Sequence, residues 1–75
     1  MEVGIVLHKA KSGRLIVKLS REIEIGDILL DEKGKRVGKV VELIGSVNAP
    51  YASVIPLTDR IKGSIGKKVY ILMKR

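Results

Sequence analysis

His8 is the only histidine in this 75-residue chain. Its sequence neighbours are apolar or basic, and no carboxylate or nucleophile stands at a spacing that would use its proton. A proton shuttle needs a partner within hydrogen-bond reach. Without one, His8 reads as a hydrogen-bonded residue beside a hairpin bend, or as a rim contact, rather than as a catalyst or pH switch. The run Gly63-Ser64-Ile65-Gly66-Lys67-Lys68 looks superficially like a phosphate-binding loop. That loop requires four residues between its glycines and a hydroxyl after its lysine. Here two residues separate the glycines, and Lys68 stands where the hydroxyl belongs. Cysteine is absent and the carboxylates are scattered, so no metal site and no cofactor are expected. No acid–base pair or nucleophile set is visible, and the chain is expected not to be an enzyme.

What remains is the chemistry of contact. Lys33, Lys35, Arg36 and Lys39 cluster around one hairpin turn. They read as a solvated turn or as an electrostatic contact with RNA or an acidic patch. The formal charge of +7 would attract polyanions. The only aromatics besides His8 are Tyr51 and Tyr70, too few for the stacking platform of a single-strand RNA reader. Tyr70, inside an apolar run, is expected to pack in the core or at a barrel end. Residues 45–51 carry no charge. Gly45 and Pro50 either shape a loop or hold Val47 and Tyr51 outward against a partner, where tyrosine offers rigid area with a polar tip.

The elements that must position these residues are strands. Val and Ile supply nineteen residues and Leu eight, whereas Ala occurs three times and Phe and Trp are absent. That inventory favours pleated, half-buried surface over helix. Apolar runs at 3–7, 14–19, 28–30, 36–44, 51–55 and 69–73 are separated by turn signals. The first two form a hairpin with residues 8–13 at its bend. The clearest turn is Asp31-Glu32-Lys33-Gly34, with Gly34 suited to a positive φ. Residues 46–50 are expected to be a loop, residues 58–68 a polar connection, and Pro56 to end its strand at an edge or where the chain leaves the sheet. Spacing of about ten residues between strands predicts an all-β fold, a small six- or seven-stranded closed β-barrel formed by residues 1–75 as a single domain. A domain of this size buries only about 60–65% of its unfolded surface, so its stability margin is thin. No apolar run approaches the ~18–20 residues of a membrane span, and an intracellular, cytoplasmic chain is expected.

Two blocks carry a resemblance to a known family. The first is Gly4-x-Val6-Leu7-His8-x-Ala10-Lys11-x-Gly13, continuing into Leu15-Ile16-Val17. The second is Val37-Gly38-x-Val40, then Gly45-x-Val47, then Pro50-Tyr51-x-x-Val54. Gly66-x-x-Val69-Tyr70 is a weaker third. Together they resemble the archaeal Gar-type subunit of H/ACA small ribonucleoproteins, which direct RNA pseudouridylation. The resemblance implies a barrel of the translation-factor and reductase type. It also implies a non-catalytic subunit that binds the pseudouridine synthase and promotes substrate loading and turnover, while contacting the H/ACA guide RNA mostly indirectly. Gly38, Val40, Gly45, Val47, Pro50, Tyr51 and Val54 are the partner-binding residues it implies, on a protein monomeric in isolation. Ser46 departs from the proline that usually follows the glycine. The glycine/arginine-rich tails of eukaryotic members are missing, so RNA affinity from such tails is not expected. The competing reading is a ribosome-maturation or translation-factor-like barrel that binds ribosomal RNA or protein.

Overall fold

Six strands surround a core of short, mostly β-branched side chains. They are β1 (Glu2–Lys9), β2 (Leu15–Leu19), β3 (Ile28–Leu30), β4 (Arg36–Ser46), β5 (Ala49–Pro56) and β6 (Lys68–Tyr70). A single turn of helix, α1 (Ile61–Ser64), lies between β5 and β6. The structure, a computed structural model, describes residues 1–46, 48–59 and 61–72. The strands close in the order β1-β2-β5-β4-β3-β6, with every neighbouring pair antiparallel. The fold is therefore the small closed barrel that the strand pattern predicts, with six strands. Closure removes the free edges that would otherwise template aggregation.

Alternation explains the core. In β2, Leu15, Val17 and Leu19 point inward while Lys18 is exposed. Val3, Val6, Leu29, Val37, Val40, Ala52, Val54 and Val69 complete the filling, with Ile23 plugging it from the segment after β2. Burying such a side chain contributes about 1.5–3 kcal/mol, which is how a core without Phe or Trp can hold the barrel. Gly38 marks a tight approach of β4 to β5. A Cβ there would overlap the Val54 Cγ1 and the Ile55 carbonyl oxygen.

Antiparallel pairing sorts the connections between two ends. The β1–β2 bend, the β3–β4 turn and the β5–β6 connection lie at one end. Residues 20–27 and the tip of the β4–β5 hairpin lie at the other. The β3–β4 turn forms as expected. Gly34 has φ 84°, and Asp31 Oδ1 accepts from the Lys33 and Lys35 amides, each at 2.9 Å.

Four boundaries differ from the sequence pattern. A bulge at Leu7 lets β1 run on to pair Lys9 with Leu15, so the bend is residues 10–14 and His8 stands in the strand. The loop expected over 46–50 is narrower, because Gly45 pairs with Pro50 and Ser46 with Ala49, so Ser46, Ala49 and Pro50 belong to β4 and β5. The polar connection contains α1, after which Gly66 turns the chain with φ 82° and its amide donates to the Val6 carbonyl. The last strand is Lys68–Tyr70 rather than 69–73, since beyond it Ile71 exchanges hydrogen bonds with Met1. Met73 lies outside the described residues.

Candidate docking site at the β4–β5 hairpin

β4 is the longest strand, and its last residues run past the barrel wall with the start of β5. Gly45 makes that extension possible. Its φ of 95° is the left-handed region that L side chains avoid. A Cβ there would also overlap the Ala49 carbonyl oxygen and reach 3.4 Å from Tyr51 Cδ1. The ring of Tyr51 thus lies along the bare face of Gly45. Pro50, half-buried, faces Gly45 across the ladder.

The register builds a continuous outer row across four strands. Ile44 pairs with Tyr51, Tyr51 with Lys18, and Lys18 with Ile5. Ile44 is 44% exposed and Ile5 39% exposed, while Tyr51 is half-buried. Leu43, one residue back, is 43% exposed although its partner Ala52 is fully buried. Leu43, Ile44, Pro50 and Tyr51 form one side of a groove, and residues 19–23 form the other. Its hairpin side contains no ionised side chain.

The residues implied for partner binding separate into three groups. Gly45, Pro50 and Tyr51 come together at the hairpin. Gly38, Val40 and Val54 are interior, with Val40 and Val54 paired and completely buried. The Val40 and Val54 side chains are therefore part of the barrel core and not of its surface. Val47 lies outside the described residues. His8 is exposed on β1 opposite Ile16, one strand from Ser53 of β5. Among the described residues, no group of His, Asp or Glu side chains is arranged to hold a metal ion. No helix among them is long and apolar enough to cross a membrane.

Sequence reasoning missed Leu43, Ile44, Lys18 and Ile5. The β-bulge between Val40 and Glu42 resets the alternation of VVELI, so simple period-two counting misassigns its faces. Lys18 was visible as the polar break in an apolar strand, but its place beside Tyr51 depends on β2 pairing with β5.

Residues 1–75 match the family described as Gar1/Naf1 RNA binding region. The chain belongs to the Gar1/Naf1 family. An uncharacterized protein of Methanocaldococcus jannaschii is 41% identical over 59 residues, covering 79% of this chain and 72% of its own length. An uncharacterized protein of Methanothermobacter thermautotrophicus is 28% identical over 76 positions, covering 96% and 83%. Both relatives are archaeal. Gar1/Naf1 membership ties the chain to ribonucleoproteins and to an RNA-binding, non-catalytic family.

Lys33, Lys35 and Arg36 sit at the far end of β4 from the hairpin. Lys39 is exposed between Ile28 and Ile55, away from that turn. Tyr70 is half-buried at the barrel seam, where it pairs with Glu2 and Leu30.

Proposed function

We propose that this Gar1/Naf1 protein is a non-catalytic subunit of an H/ACA ribonucleoprotein that docks on the pseudouridine synthase through the β4–β5 hairpin. The observation that carries this reading is the uncharged tip of the hairpin, with Leu43 and Ile44 exposed and Tyr51 half-buried beside them. Exposed aliphatics around a rigid tyrosine fit a protein partner better than a phosphodiester chain. A standard interface takes roughly 800 Å² from each partner. A hairpin tip alone is too small, so docking includes the outer row through Lys18 to Ile5.

The mechanism is differential affinity. A bound subunit shifts a mobile element of the synthase only by holding one of its states more tightly than another. A loop that grips substrate RNA can thereby be biased between loading and release. Moving a minor state to near-complete dominance takes about 5 kcal/mol of difference. The synthase supplies the chemistry, and this chain supplies no reacting group.

Titration calorimetry with the archaeal synthase, with and without guide RNA, tests the reading. Binding without RNA, with unchanged affinity when guide RNA is added, is expected. Binding that requires RNA, or none in either case, rejects hairpin docking on the synthase.

A further inference from the structure

The fold joins two basic segments that lie more than thirty residues apart. Lys33 of the β3–β4 turn and Lys67 and Lys68 of the β5–β6 connection line one depression, with Tyr70 beside them. A second depression shares Asp31, Lys33 and Gly63 with it and is lined by Lys35 and Arg36. Five cations therefore face one groove against two carboxylates, Asp31 and Glu32. Asp31 Oδ1 already accepts two backbone amides of its own turn. Lys68 reaches Glu2 at 3.6 Å, but both side chains are largely exposed and such a pair contributes little. Like charges gathered this way repel one another, and a polyanion laid along the groove relieves the repulsion.

We propose that this groove is a direct binding site for the phosphodiester backbone of single-stranded RNA. The cations are mainly lysines, which meet phosphate as point charges and do not read base edges bidentately. Recognition is accordingly independent of sequence. Tyr70 supplies one stacking surface, enough to seat a base and too little to select one. An acidic protein segment could use the same charges, and Gar1/Naf1 membership is what favours RNA as the occupant. The site lies at the opposite end of β4 from the hairpin, so RNA and synthase can be held together. It does not depend on the docking reading.

The test is fluorescence anisotropy of the isolated protein with a labelled twelve-nucleotide oligouridine at several salt concentrations. Lys33→Gln/Lys67→Gln is expected to weaken binding roughly tenfold or more at low salt. The slope of log affinity against log salt should fall by about 1.4, at about 0.7 for each single-strand phosphate that is no longer neutralised. Lys9→Gln/Lys11→Gln removes the same charge at the same end of the barrel but outside the groove, and should cost less than twofold. In the proton NMR spectrum, oligouridine should shift the ring of Tyr70 and leave that of Tyr51. Equal losses in the two variants, or a shift confined to Tyr51, overturn the site. Competition by polyglutamate as effective as by unlabelled oligouridine overturns its assignment to RNA.

Discussion

β4 begins beside a turn crowded with lysine and ends in a hairpin tip, residues 43–51, whose sequence carries no charged side chain. At its start, the β3–β4 turn is held by backbone amides that donate to Asp31, and Lys33, Lys35 and Arg36 are exposed. At its end, Gly45 and Pro50 hold the strands past the barrel, and Leu43 and Ile44 are exposed. One strand therefore links a surface suited to a charged polymer with a surface suited to an apolar partner. Long-range attraction raises encounter rates and is weakened by salt, whereas apolar contact slows dissociation. The two ends should be separable by mutation, with opposite signatures.

The largest effect is expected from Gly45→Val. The positive φ and the overlap with the Ala49 carbonyl oxygen leave no unstrained place for the side chain. Synthase binding should be lost, and denaturant unfolding should show a stability loss of about 1–3 kcal/mol. RNA binding by the folded fraction should persist. Loss of RNA binding in folded Gly45→Val would show that the ends are not independent.

Tyr51→Ala should weaken synthase binding by about 1–3 kcal/mol if Tyr51 anchors the interface. Ile44→Asp should do at least as much, because it sets an unpaired charge against an apolar contact. The melting temperature, read beside affinity, decides the matter. A sharp fall in melting temperature for Tyr51→Ala, with normal binding by the remaining folded protein, would mark Tyr51 as core and move the docking face elsewhere.

Lys33→Ala should have the smallest effect on the synthase complex. Stopped-flow mixing should find a modestly slower association rate and a reduced salt dependence, with dissociation unchanged. A faster dissociation rate would place Lys33 in the protein interface and erase the contrast between the ends.

Much of the barrel was legible because its signals are local. β-branched runs favour pleated surface, and Gly34 and Asp31 encode their turn within a few residues. Gly45 and Pro50 could be singled out because glycine admits a positive φ and proline fixes its own φ wherever they stand.

Tertiary structure alone decided which strands meet. β2 pairs with β5, which puts Lys18 beside Tyr51 and extends the hairpin surface to Ile5. A single bulge beyond Val40 changed which residues of β4 face outward. Barrel closure brought Lys67 and Lys68 to the turn that carries Lys33. Propensity and turn chemistry act over a few residues, while pairing order and register are set by filling one shared core and leaving no edge open. Sequence by itself therefore determined the β-strand character of the chain and most of its strands, with the Asp31–Gly34 turn. Closure determined the two surfaces, because each joins side chains that no local interaction brings together.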